Sequence, residues 1–359
     1  MLEELKGIRA SKKDAEKLKN FLIQKNLVAR NYALQKTNDS IIFPVKREIK
    51  ISEKKSLKKV VKSFFVEKSS FEFLGQQPKN LREALEGRLS KKEAKQLIRG
   101  FDVIGDIALV DIPKTLEKKQ GIIADAVMRL HRNIKTVCKK TGKVTGKFRV
   151  RKVRVIAGIK KTETIHRESG CVFKVDIARA FFSPRLAGER QRIAGQIKAG
   201  ETIGAFFAGI GSYPIIFAKK TGMGKAFAVE LNKEAVKLLK ENIRLNKVEK
   251  KVMAVQGDVK KLAKKIAGKC DRVVMPMPKG AENFLKEAIT AAKNKAVIHF
   301  YQFVAKKQGV TPAIKKIDRA AKKLGFGFNV IGWRKVVGHS PEKIEIVVDF
   351  SIAKAKNFK

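Results

Sequence analysis

The chain has 359 residues, 44% of them apolar, which is enough for two or three packed cores and excludes a wholly disordered protein. Lys and Arg total 81 against 34 acidic residues, a net charge of +47 spread along the whole length. Such a surface repels itself unless a polyanion compensates, so nucleic acid is the partner it points to; a lysine-rich surface set by composition bias or life at high temperature is the plainer alternative.

The three cysteines, Cys138, Cys171 and Cys270, lie far apart with no CxxC pair. That argues against a disulfide framework or a zinc site, and no metal is expected. The N-terminal MLEELKGIRASKK has no apolar signal core. The apolar run 203–218 is broken by three glycines and a proline, too short and irregular to span a bilayer. A cytoplasmic protein is expected.

In chain order, Ser11 with Asp14 three residues on reads as a capping box, opening a helix with Ala15, Leu18 and Leu22 on its apolar stripe. Strand-like runs at YALQK and SIIFPVK complete a small α/β module over residues 1–50. Residues 51–84 lack strong periodicity and read as a linker. Ser90 and Glu93 give a second capping box. FDVIGDIALVDIP then reads as a hairpin, GIIADAVMRLHRNI as an amphipathic helix, and KFRVRKVRVIAG as a strand with one basic face. TETIHRESGCVFKVDIARAFF supplies two further strands. Residues 85–180 thus form an α+β middle domain.

Residues 181–359 alternate strand and helix: ETIGAFFA, KAFAVEL, KVMAVQ, CDRVVMPM and AVIHFYQF are separated by helical stretches such as NKEAVKLLKENIRLN. This order predicts a doubly wound parallel sheet. GFNVIGWRKVVG and EKIEIVVDFSI close it as two adjacent strands, the pattern of a Rossmann-like class I methyltransferase domain. The fold class is α/β.

Within GAFFAGIGSYP, Gly209 and Gly211 fall between a strand and a helix, where glycine allows a tight turn and close approach of backbone to ligand. Pro214 stands where a dinucleotide fingerprint wants its third glycine. This disfavours NAD, whereas S-adenosylmethionine has no pyrophosphate to seat. Glu230 ends the next strand, placed to accept from both ribose hydroxyls, and Asp258 follows the third, within reach of an adenine amino group. Either acid could equally cap a helix. The convergence of three strand ends on one crevice favours a cofactor site.

The segments FDVIGDIALVDIP, KTGKVTGKFRVR, TETIHRESGCVFKVD, FFSPRLAGER, FAGIG, ELNKEA and VMPMPKGAENFL run through nearly the whole chain. In content and order they resemble the archaeal and eukaryotic tRNA (guanine-37-N1) methyltransferases, SPRLxxER being the most discriminating piece. The resemblance implies a monomer that takes S-adenosylmethionine as cofactor and tRNA as substrate. The small module would grip the tRNA elbow and the middle domain would approach the anticodon arm. It places Glu189 as general base and Arg149 near the guanine O6. Cofactor contacts would come from Arg190, Phe207, Gly209, Gly211, Glu230, Leu231, Asp258, Val259 and Pro276. Two departures stand out: Ala205 replaces a usual Asp, and Pro276-Met277-Pro278 replaces a loop that usually carries Asn.

Guanine N1 carries a proton and attacks poorly until a base removes it, and charge then develops toward O6. A carboxylate meets the first need and a fixed guanidinium the second. His166 and His299 lie in strand-like runs and are expected to be structural. For Glu189 the plainer reading is an intrahelical pair with a neighbouring Arg, and for Arg149 one of several contacts to phosphate. Wybutosine-pathway aminocarboxypropyl transfer, dual methylation of guanosine and its tricyclic derivative, and a non-catalytic tRNA-binding homologue are the competing readings.

Overall fold

Alternation in LEELKGIRAS buries Ile8 and Ala10, and the chain opens with strand β1 (Leu2–Ser11) rather than directly with a helix. The computed structural model describes residues 2–74, 78, 80–97, 100–142, 150, 152–338 and 342–354. They divide into two units, 1–88 and 89–359.

In the first unit β1 is followed by α1 (Ala15–Gln24), β2 (Gln35–Lys36), β3 (Ser40–Pro44), α2 (Ile51–Lys58), β4 (Phe64–Glu72) and α3 (Leu81–Ala84). The antiparallel sheet has the order β2-β3-β1-β4. Its core joins Leu18 and Leu22 of α1 to Ile8, Phe43 and Leu57. Two expectations are corrected here. Ser11 ends β1 and does not cap the helix: Asp14 is the N-cap without a side-chain cap bond, and its N–H donates to Ser11 Oγ at 3.3 Å. Residues 51–84 are not a linker, because β4 pairs with β1 over nine residues, from Leu2↔Glu72 to Ala10↔Phe64.

The second unit begins with α4 (Lys91–Gln96), whose capping box is as expected: Glu93 N–H donates to Ser90 Oγ, and Ser90 N–H to Glu93 Oε2. A sheet of order β5-β6-β7-β8 follows. It comprises β5 (Asp102–Ile104), β6 (Ile107–Val110), β7 (Thr136–Lys140) and β8 (Val153–Gly158), with α5 (Gln120–Leu130) crossing between the parallel pair β6 and β7. Strands β9 (Glu163–Glu168) and β10 (Cys171–Asp176) form a separate hairpin, and α6 (Ala187–Ala194) leads into the large sheet.

That sheet contains β11 (Thr202–Phe206), β12 (Lys225–Glu230), β13 (Val252–Gln256), β14 (Cys270–Met275), β15 (Ala292–Ala305), β16 (Phe326–Gly338) and β17 (Lys343–Lys354). The interleaved helices are α7 (Ser212–Lys220), α8 (Lys233–Leu245), α9 (Val259–Leu262), α10 (Leu285–Ala291) and α11 (Thr311–Lys322). The order is β13-β12-β11-β14-β15-β17-β16, with β17 antiparallel to both its neighbours. Strand order reverses between β11 and β14, the switch point where open α/β sheets bind ligands.

The boundary expected near residue 180 falls inside a core. Ile104, Ile107 and Cys138 share one apolar cluster with Phe173, Ile193, Ile215 and Leu239. On the other sheet face α10 and α11 bury Leu285, Ile289 and Ile317 against Phe300 and Phe350. Asn242 of α8 and its C-cap Asn246 stand in for a strand along the free edge of β10: they accept from the N–H of Lys174 and Val172 and donate to the same two carbonyls. The cysteines are buried, and burial pushes Cys138 up to about 11 and Cys270 to about 12, so both stay protonated thiols. Among the described residues no helix is long and apolar enough to cross a membrane.

Candidate active site

Beyond the buried strand β11 the chain turns through Phe207 (φ 55°), Gly209 (φ 55°) and Gly211 (φ 91°). At Gly211 an added Cβ would lie 2.4 Å from Leu239 Cδ1, so glycine is required by space as well as by φ. Glu230, at the end of β12, holds this loop. Its Oε2 accepts from Gly209 N–H at 2.8 Å, and its Oε1 from the N–H groups of Leu231 and Asn232 at 2.9 and 2.8 Å. Asn242 Nδ2 adds a bond to the Ile210 carbonyl at 3.0 Å. Asp258 caps α9 by accepting from Lys260 N–H at 3.0 Å. The plain capping geometry therefore exists at Asp258, and the same residue faces the cavity.

The cavity measures about 1850 Å³. Phe207, Gly209, Glu230, Leu231, Asp258, Val259 and Pro276 all line it, at the carboxyl ends of β11 to β14. A small-molecule pocket typically has roughly 300–1,000 Å³, so there is room for a nucleoside cofactor and a second group. Its lining includes the cations Lys139, Lys140 and Arg154 of β7 and β8, which pair there with Glu117, Asp102 and Asp111.

The SPRLAGER segment enters the wall through Ser183, Arg185 and Leu186, with Arg185 Nε bound to Asp102 Oδ1 at 2.6 Å. The next turn goes under the surface. Glu189 is 5% exposed and does not line the cavity; it accepts from Tyr301 Oη at 2.8 Å and from Arg192, so the expected intrahelical pair is present. Arg190 departs from expectation. It is 1% exposed, forks onto Glu168 of β9 at 2.7 and 2.5 Å, and donates to the Ser183 carbonyl at 3.1 Å. Its guanidinium locks the β9–β10 hairpin to α6, which takes it off the cavity wall. Gly211 also lies off the wall and acts by shaping the turn. Arg149 lies outside the described residues.

Residues 164–331 match the TRM5/TYW2 methyltransferase domain, residues 81–162 the TYW2 N-terminal domain, and residues 7–53 the tRNA methyltransferase 5 N-terminal domain. The tRNA (guanine(37)-N(1))-methyltransferase Trm5b of Pyrococcus abyssi is 33% identical over 347 residues, 97% of this chain and 99% of the relative. The chain belongs to the TRM5/TYW2 methyltransferase family. The crystal structure of that Trm5b superposes with a TM-score of 0.70, at 32% identity over 97% of this chain and 99% of the other. A structure of aTrm5 in complex with tRNALeu gives a TM-score of 0.69, at 29% identity over 96% and 99%. The tRNA(Phe) (4-demethylwyosine(37)-C(7)) aminocarboxypropyltransferase of Methanocaldococcus jannaschii is 32% identical over 69% of this chain and 96% of its own length.

One residue of this TRM5/TYW2 site was not legible beforehand. Gln302 of β15 lines the cavity, is 5% exposed, and has a buried Oε1 that no described residue donates to. Ala205 is a packed strand residue between Ala228 and Val274. His299 is structural as expected: its Nδ1 faces Asp349 Oδ1 at 2.6 Å and its Nε2 faces Arg272 Nη1 at 2.8 Å. The neutral tautomer, with Nδ1–H donating and Nε2 accepting, satisfies both, and burial holds the ring below its ordinary pKa. Among the described residues no cluster of His, Cys, Asp or Glu could hold a metal.

Proposed function

We propose that the protein transfers a methyl group from S-adenosylmethionine to N1 of guanosine 37 in tRNA. The observation that carries this reading is the crevice in which the Gly209 loop, Glu230, Asp258 and Pro276 open into a cavity larger than a nucleoside needs. Relatedness along the full length to Trm5b supports it, whereas the aminocarboxypropyltransferase is matched over 69% of the chain.

The crevice suits an adenosyl group. A carboxylate offers about four lone-pair directions, and backbone N–H groups use three at Glu230, leaving one on Oε2 for a ribose hydroxyl. Leu231 and Val259 supply apolar walls for a base, with Asp258 at its edge. When bound, the cofactor supplies an electrophilic methyl group on a sulfonium.

The protein's own task is to hold guanine and to take the N1 proton as the new N–C bond forms. We assign that proton to Glu189, whose helix follows the wall residues Arg185 and Leu186 and whose partner Tyr301 precedes the wall residue Gln302. Arg149 is assigned to the charge developing at O6. The net charge of +47 suits the phosphates of the anticodon arm, and residues 1–88 are assigned to the tRNA elbow. The test is incubation with methyl-labelled cofactor and two tRNA transcripts, one with guanosine and one with adenosine at position 37. Label should enter the first alone. Equal labelling of both, or of neither, would refute the assignment.

A further inference from the structure

A chain of buried and part-buried polar groups runs across β14, β15 and β17 to α6. Glu201 forks onto Arg272 at 2.8 and 3.2 Å, Arg272 meets His299, and His299 meets Asp349. Arg192 then joins Asp349 to Glu189. Its Nη1 binds Asp349 Oδ2 at 2.5 Å, its Nη2 binds Asp349 Oδ1 at 3.2 Å and Glu189 Oε1 at 2.6 Å, and its Nε lies 3.1 Å from both Glu189 oxygens. Tyr301 Oη completes the group on Glu189 Oε1.

The two carboxylate oxygens are therefore unequal. Oε1 receives the Tyr301 hydroxyl and Arg192 Nη2 in full and shares the Nε proton, which exhausts its lone pairs. Oε2 has only its share of that Nε proton. Arg334 of β16, half exposed, stands 3.9 Å from Oε2, beyond hydrogen-bond reach.

We propose that Arg192 is a positioning residue: together with Tyr301 it ties down Oε1 and presents Oε2 as the atom that accepts the N1 proton. Asp349, backed by His299, fixes Arg192 in turn.

The inference rests on the assignment of Glu189 as base, and the two can fail separately. The charged and titratable groups around Glu189 are Arg192 on its own helix, Tyr213 on α7, Tyr301 on β15, Arg334 on β16 and Asp349 on β17. Arg192 is the cation hydrogen-bonded to it, and removing that charge disfavours the carboxylate form.

The experiment is a pH–rate profile of single-turnover methyl transfer to tRNA by the full-length chain. In Arg192→Met the rate at neutral pH should fall about a hundredfold and the acidic limb should move to higher pH, so that part of the rate returns in alkali. Arg192→Lys keeps the charge but cannot reproduce the three-way fork; it should be slower by about tenfold with its limb in place. Cofactor affinity by calorimetry should hold in both. A merely structural role would scale the rate equally at every pH, and that result, or a parental rate in Arg192→Lys, overturns the proposal. The lysine variant decides the matter if the methionine variant does not fold. Glu189→Gln at the parental rate would instead remove the assignment of the base itself.

Discussion

Glu230 Oε2 accepts the backbone N–H of Gly209 at 2.8 Å, so a carboxylate that lines the cavity is also the clamp on the glycine turn. Loop and carboxylate are one unit: the acid cannot be lost without freeing the backbone that shapes the crevice.

Glu230→Ala should therefore weaken S-adenosylmethionine binding by about a hundredfold or more. One charged bond contributes roughly 1.5–3 kcal/mol, and loop ordering adds to it. Glu189→Gln should leave cofactor affinity unchanged. Isothermal calorimetry on the two variants checks the contrast, and equal affinity for parent and Glu230→Ala would contradict the clamp.

Gly211→Ala should destabilise the second unit by about 2–4 kcal/mol. The left-handed backbone costs an alanine of order 1–3 kcal/mol, and the new methyl meets Leu239 Cδ1 at 2.4 Å. Gly121→Ala is the opposite case. That residue is exposed in the first turn of α5 with nothing within 4 Å of its Cβ position, so alanine should gain about 0.5–1 kcal/mol. Denaturant unfolding of both variants gives the comparison.

How much of this was readable from sequence depended on what each strand touches. Strands β11, β12 and β14 are buried runs and read directly as apolar segments. Strand β4 did not, because as an edge strand it buries only Phe71 fully and mixes Lys, Glu and Ser along FFVEKSSFE. Gly209, Glu230 and Asp258 announced themselves by their places at strand ends. The destinations of Glu189 and Arg190 could not be read so, since their partners Tyr301 and Glu168 lie 112 and 22 residues away and are brought in only by tertiary packing.

His299 makes stability sensitive to mild acid. Burial lowers its folded pKa, with Asp349 opposing only in part, so the native ring is neutral where the unfolded ring takes up a proton. Its contribution is complete above the unfolded value of about 6.5 and is lost as pH falls from there toward the folded value. Asp349 is also shifted down, for a different reason: burial alone would raise it, but His299 and Arg192 hold it below the usual range, so its contribution persists to lower pH, fading only below about 4. Melting temperature against pH should decline between pH 6.5 and 5, and His299→Gln should flatten that interval. An unchanged slope in the variant would remove His299 as its source.

Removing residues 1–88 should leave cofactor affinity intact while weakening tRNA binding. Each unit has a separate apolar core, built from Leu18, Leu22 and Phe43 in one and from Phe217, Leu239 and Phe350 in the other. Cutting after residue 50 should behave worse, because it leaves β4 without β1. Soluble yield and filter binding of the two truncations test this, and parental tRNA affinity without residues 1–88 would contradict the role assigned to them.

The most direct test of the whole account is mass mapping of a tRNA transcript after incubation with the full-length protein and S-adenosylmethionine. The predicted result is one added methyl group on nucleotide 37, at N1, where it blocks base pairing and stops reverse transcription. A methyl group elsewhere, an aminocarboxypropyl group at position 37, or unmodified tRNA in the presence of demonstrated cofactor binding would contradict it.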